Sequence, residues 1–168
     1  MKVSPTFKFP FKRKKEAKTD YSKRLRLLDS RKPRLVVRRS LNYIQAQIVE
    51  FKGKSDRTLA SSNSRSLRKV GWTFSCDSVP AAYLVGFAIG KVALKNNIGE
   101  AILDSGLYRS TKGNRIYAVV KGAIDAGLKV PASPEVFPSD DRVSGKHISK
   151  HKDLPAKFEE IKKMIANG

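Results

Sequence analysis

RLVVRRSLNYIQAQIVEF, Arg34 to Phe51, decides how this chain folds. Leu35 and Val37 precede the polar centre Arg38-Arg39-Ser40, and Ile44, Ala46 and Ile48 share one parity after it. Alternation with period two is what a strand with one buried face requires. The stretch is therefore one long bent strand, or two strands joined at Arg39 to Asn42. FKGKSD, Phe51 to Asp56, follows as a hairpin turn into a further strand near Thr58 to Ser62.

Toward the C-terminus, Ser61 to Phe74 is a polar connection carrying Arg65, Arg68 and Lys69. Asp77 or Ser78 then caps a helix, AAYLVGFAIGKVALKNN, with Pro80 acceptable in its first turn. Ala81, Val85, Ile89 and Val92 form its apolar stripe, flanked by Leu84 and Ala88. Ala82, Gly86 and Gly90 make a row of small residues, expected to let the helix sit close on the sheet. Glu100 to Asp104 reads as a short buried strand. Ile116, Val119, Val120, Ala123 and Ile124 mark a second helix that Gly127 ends, and Leu128 to Val130 adds a short strand before Pro131. Beyond lies a turn-rich extension, residues 131–168, closing in a short helix with Phe158, Ile161 and Ile165 on one face. This order predicts a mixed α/β sheet covered by helices, residues 33–130, as one domain with tails.

Toward the N-terminus, residues 1–32 form a basic arm in which Phe7, Phe9 and Phe11 alternate with other residues and Pro5 and Pro10 intervene. The arm cannot bury enough apolar surface to fold alone, so it is expected to be extended or disordered until it meets a partner. Within it, Asp20 to Asp29 predicts a short helix capped by Asp20, with Tyr21, Leu25 and Leu28 on one face and Pro33 blocking its continuation. The net charge is +20 and the pI near 10.3. Fifteen Lys or Arg stand against three carboxylates in residues 1–40, which places twelve of those net charges there. Such a field attracts a polyanion, first met by the arm, and aromatics interleaved with cations suit unpaired RNA bases and their phosphates.

Cys76 is the only cysteine, so no internal disulfide forms and a reducing compartment is the natural reading. No apolar run approaches about 18 residues, so no membrane span is expected. The N-terminus lacks the apolar core of a secretory signal and reads as part of the working protein.

GLYRSTKGN, Gly106 to Asn114, opens the second helix and invites comparison with a nucleotide-binding loop. The Walker pattern needs a lysine after its second glycine with a hydroxyl beside it, and the order Ser110, Thr111, Lys112, Gly113 fails that requirement. Backbone amides at the helix start, ringed by Arg109, Lys112 and Arg115, would still form an anion site fitting an extended phosphate backbone. Alternatively, Gly106 and Gly113 simply shape the turn. Carboxylates are too sparse for two-metal nuclease chemistry. His147 and His151 are four apart and Asp140, Asp141 or Asp153 could complete a metal site on paper, but no cysteine is nearby and Gly145 with its polar surroundings argues against a firm helix, so His147 is read as an RNA or local packing contact. No cofactor is called for.

FKRKKEAKTDYSKRLRLL, PRLVVRRSLNYIQAQIVEF, GLYRSTKGNRIYAVVKGAIDAGLKVPAS and FPSDDRVSGKHI, in that order, give the chain its family likeness. It resembles the archaeal and eukaryotic form of the L-eighteen family, the 5S-rRNA-binding proteins of the large ribosomal subunit. The resemblance implies an α/β/α domain of ribonuclease-H-like topology without nuclease activity. The implied partners are 5S rRNA, 23S rRNA, a neighbouring 5S-binding protein and other large-subunit proteins, with no membrane and no homo-oligomer. The absence of eukaryotic insertions favours an archaeal source, ribosome-bound in the cytoplasm. By the same resemblance, Lys12, Arg13, Lys14, Lys15, Lys18, Thr19 and Tyr21 lie on 5S rRNA, extended by Arg24 and Arg26. Arg38, Arg39, Ser40 and Asn42 match a polar break facing RNA, and Arg109, Thr111, Lys112, Gly113 and Asn114 match the loop before the domain's last helix. Arg142, Lys146 and His147 match a C-terminal motif that the bacterial form lacks. The rival readings are a phosphoryl-transfer protein using Lys112 and a nonspecific basic nucleic-acid-binding protein.

Overall fold

The computed structural model describes residues 9–53 and 55–167, so the expectation for Phe7 lies outside it. Six α-helices are seen among these residues: α1 Lys12–Lys15, α2 Tyr21–Asp29, α3 Val79–Lys95, α4 Arg115–Asp125, α5 Asp140–Ser144 and α6 Leu154–Asn167. The strands are β1 Arg34–Arg39, β2 Ile44–Lys52, β3 Ser55–Asn63 and β4 Ile102–Asp104.

The opening stretch resolves into two antiparallel strands, with Leu35 opposite Ile48 and Val37 opposite Ala46. Ser40 closes their hairpin: its N–H donates to the Tyr43 carbonyl at 2.8 Å, and its hydroxyl accepts the Tyr43 N–H at 3.0 Å. β3 pairs with β2 across an irregularity at Ile48/Val49, and β4 joins β1 in parallel, giving the sheet order β3-β2-β1-β4. The strand expected at Leu128 to Val130 contributes only one parallel bridge, Glu100 to Lys129. Period two divides the sheet into faces. Leu35, Val37, Ala46, Ile48 and Ala60 are buried on the face carrying α3, while Arg34, Val36, Arg38 and Gln47 turn to the other.

Ser78 caps α3 by accepting the Ala81 N–H at 3.3 Å. The small-residue row of α3 meets α4, which corrects the expectation that it would meet the sheet. A Cβ on Gly86 would fall 1.9 Å from the Val119 carbonyl oxygen, and one on Gly122 of α4 would fall 2.2 Å from that of Tyr83. Two helix backbones approach this closely only where both lack side chains. Because α3 is enclosed by the sheet, α4 and α6, residues 80–87 are all buried, and no single stripe describes them. Val92 falls outside this enclosure and is 39% exposed. Val143, Leu154, Phe158 and Ile161 belong to the same core, so the C-terminal helices pack into it.

Two expectations for the arm also change. Lys12–Lys15 form a helical turn where extended chain was expected, and Phe11 meets the Tyr21 ring at 5.1 Å. Asp20 does cap α2, accepting the Lys23 N–H at 3.0 Å. Leu25, however, is 70% exposed. The helix is turned so that Lys23 and Arg24 reach the sheet, and these polar anchors set its phase.

Candidate nucleic-acid interface

On the sheet face away from α3, the parallel register sets Asp104 beside Val36, on the side of the sheet that carries Arg34 and Arg38. Arg34, 2% exposed, reaches Asp104 through Nη1 at 2.8 Å and Asp56 through Nη2 at 2.8 Å. The Asp56 contact is an ion pair without hydrogen-bond alignment, and Arg34 Nε has no hydrogen-bond partner among the described residues. Asp56 continues to Arg24 at 2.9 Å, and Asp104 to Arg38 at 3.0 Å. The result is a ladder, Arg24–Asp56–Arg34–Asp104–Arg38, that ties α2 to the sheet. Burial raises the Asp104 carboxyl pKa. The Arg38 charge, the Gly106 N–H, the Arg38 hydrogen bond and the Arg34 charge more than offset this and hold it below the ordinary aspartate value.

Lys23 adds a second tie, donating to Ser105 Oγ at 3.1 Å and the Gly106 carbonyl at 2.9 Å. Gly106 has φ +60, and a Cβ there would stand 2.9 Å from Arg38 Cζ, so glycine suits both backbone and neighbour. Under α2 lies a cavity of about 540 Å³ whose lining includes Arg13, Lys18, Thr19, Tyr21, Arg24 and Arg38. Arg13 Nε donates to Thr19 Oγ1 at 2.9 Å. Arg38, matched above to an RNA-facing break, also donates to the backbone oxygens of Asp104 and Val37 at 2.7 and 2.8 Å. It is therefore first an anchor of the sheet, with 43% of its side chain left exposed.

A second cleft, about 470 Å³, gathers Arg39, Arg109, Thr111, Gly113, Asn114, Arg142 and His147 from three separate stretches of sequence. The Arg39 guanidinium lies over the Tyr108 ring at 5.2 Å, and the Tyr108 hydroxyl donates to the Arg39 carbonyl. The helix-start anion site anticipated here takes a different form. The Gly113 N–H donates to the Val136 carbonyl at 2.8 Å, Asn114 Oδ1 accepts the Tyr117 N–H at 3.0 Å, and Arg115 pairs with Asp77. The Gly113 and Tyr117 amides and the Arg115 guanidinium are thus engaged within the protein, and Arg39, Arg109 and Arg142 supply the cleft's remaining positive charge. Lys112 stands outside this lining, exposed and 3.2 Å from the equally exposed Glu135, an ion pair of small worth in water.

Lys12, Lys14, Lys15 and Arg26 are exposed outside both cavities, as are Ser40 and Asn42 at the hairpin tip and Lys146 beyond α5. His147 Nδ1 lies 3.3 Å from the Asp141 carbonyl. Sequence reasoning missed Lys23, Arg34, Asp56 and Asp104 as organisers of the interface. The available signal was Arg34 and Arg38 at same-face spacing around the apolar run Leu35-Val36-Val37, where a buried arginine demands a counter-charge.

An α/β fold whose strand ends and loops collect arginines into clefts defines a class of basic proteins suited to polyanions. The chain matches the family described as ribosomal large subunit proteins 60S L5 and 50S L18 over residues 5–100 and 95–133. It is 50% identical over 149 residues to the large ribosomal subunit protein uL18 of Korarchaeum cryptofilum (strain OPF8), covering 89% of this chain and 76% of the relative. The chain belongs to this family in its archaeal form, as a structural protein of the large ribosomal subunit, and so is ribosome-bound in the cytoplasm.

Proposed function

We propose that this protein binds 5S rRNA and helps attach it to 23S rRNA in the central protuberance, beside a neighbouring 5S-binding protein, without enzymatic activity. The observation that carries this reading is the second cleft, where the end of β1, the loop before α4 and the segment around α5 present Arg39, Arg109 and Arg142 together. Residues 1–32 act as the RNA-binding arm, with Lys12, Arg13, Lys14, Lys15 and Lys18 neutralising phosphates and Arg24 and Arg26 extending the contact. Phosphate contacts set register, whereas Phe9, Phe11 and Tyr108 offer rings to unpaired bases. Specificity then comes from RNA shape as read by Asn42, Thr111 and the clefts.

The Lys112 phosphoryl-transfer reading loses support, since the neighbouring Gly113 amide is engaged by Val136 and Lys112 itself faces Glu135. Competitive binding of 5S rRNA against scrambled RNA of equal length, across a salt series, tests the proposal. A preference for 5S rRNA that persists as salt rises is expected. Equal affinities at every salt concentration would leave only nonspecific, charge-driven binding.

A further inference from the structure

Arg34 is the one buried cation among the described residues, and its guanidinium is only partly satisfied. Nη1 donates to Asp104 Oδ2 at 2.8 Å. Nε has no hydrogen-bond partner, and Nη2, although 2.8 Å from Asp56 Oδ1, makes no aligned hydrogen bond to it. These two nitrogens share one edge of the guanidinium plane, where their N–H bonds run parallel and match two oxygens of a single carboxylate or phosphate. Donors buried without acceptors are costly, so the open edge calls for an oxygen ligand.

Arg34 lines the cavity of about 540 Å³ under α2, together with Arg24 and Arg38. Six Lys or Arg face three carboxylates in that lining, so the interior favours an anion. A carboxylate brings two oxygens, both taken by the Arg34 edge, whereas a phosphate group brings three acceptors and keeps one for Arg24. Arg34 is 2% exposed, too deep for a phosphodiester whose chain continues on both sides. A free phosphate, or the terminal phosphate of a mononucleotide, has no such continuation and enters when α2, held by the polar ties of Lys23 and Arg24, lifts from the sheet. A cavity of this volume accommodates a mononucleotide, and Tyr21, Val36, Val49 and Leu107 supply apolar wall for its nucleoside.

We propose that the cavity under α2 binds a small phosphate-bearing molecule, inorganic phosphate or a mononucleotide, with its phosphate seated on the Nε–Nη2 edge of Arg34. The site goes beyond the rRNA-binding reading and does not depend on it, since it fills in the RNA-free protein. By bridging Arg34 of the sheet and Arg24 of α2, the phosphate holds the helix down.

The test titrates the RNA-free full chain by calorimetry with inorganic phosphate, adenosine monophosphate and adenosine, at an ionic strength fixed with chloride. Saturable binding of one phosphate group per chain is expected, with adenosine inert. Tighter binding of the monophosphate identifies a mononucleotide as the ligand, and equal affinities identify the phosphate alone. Arg34→Lys keeps the charge but removes the paired N–H edge, and weakens binding at least about tenfold. Asp56→Asn removes the carboxylate that competes for Nη2, and strengthens binding at least about threefold. Added phosphate also slows amide exchange across Tyr21–Asp29 in the wild-type protein, because a ligand of the closed form stabilises it. Absence of saturable binding, adenosine binding as tightly as its monophosphate, or wild-type affinity in folded Arg34→Lys would overturn the site. If Arg34→Lys fails to fold, Asp56→Asn decides: an affinity equal to wild type refutes the proposal. No RNA is present in the titration, so none of these outcomes bears on the rRNA-binding function proposed above.

Discussion

Gly86 and Gly122 mark the place where the backbones of α3 and α4 touch. An added methyl group at Gly86 would overlap the Val119 carbonyl, so Gly86→Ala should destabilise the protein by about 3 kcal/mol in urea unfolding, near the upper end for an overpacked core. Gly99→Ala, whose Cβ meets nothing within 4 Å, should stay within about 0.5 kcal/mol of wild type. Asp104 makes a pH-dependent prediction. Its folded pKa lies below the unfolded value of about 3.9, so its contribution is fully present above that pH and is lost as pH falls through the folded value. At neutral pH, Asp104→Asn should cost about 3 kcal/mol by weakening the counter-charge of buried Arg34, and the gap to wild type should narrow below about pH 4. A gap independent of pH would show that the carboxylate charge is not what stabilises the ladder. At this scale the sequence was only partly legible. Asp20, the Asp77-Ser78 pair and Gly127 revealed themselves because caps and helix stops act locally, the structure choosing Ser78 of the pair, whereas Asp104 needs the β1–β4 register before it has a partner.

Among the elements, α2 is distinctive because ion pairs fix its orientation and Leu25 is left in solvent. Asp56→Ala removes the carboxylate shared by Arg24 and Arg34 and should loosen α2 from the sheet. Amide exchange across Tyr21–Asp29 should then accelerate by about tenfold while α3 and α4 keep their protection, because their contact is apolar and backbone-close. Equal acceleration in α3 would mean that α2 and the core open as one unit. Strands and helices were readable from periodicity, since β1, β2 and α4 each bury one face. The buried first half of α3, residues 80–87, defeated the search for a stripe, and the choice between sheet and α4 as neighbour of Gly86 required tertiary structure. For α2, the apolar positions misled because Lys23 and Arg24 determine which way the helix faces.

Over the whole molecule, charge was legible from composition, but its division was not. The arm holds seven Lys or Arg in residues 1–18, so deleting Met1 to Lys18 should weaken 5S rRNA binding and flatten its dependence on salt, by up to about 0.9 in slope for each phosphate contact removed. An unchanged slope would remove the arm from the interface. The gathering of Arg39, Arg109 and Arg142 was visible in sequence only as separate motifs, since nothing local says that the end of β1, the α4 loop and α5 share one cleft. The ladder also imposes an order in time. Lys23, Arg34 and Arg38 find their partners 66 to 83 residues further along the chain, at Asp104 to Gly106. A chain synthesised from its N-terminus therefore exposes its most basic part before those partners exist. Until Asp104 emerges, Arg38 lacks its carboxylate partner and Arg34 has only Asp56, so a premature stop before that residue would release a strongly basic, half-neutralised fragment prone to coating any RNA within reach.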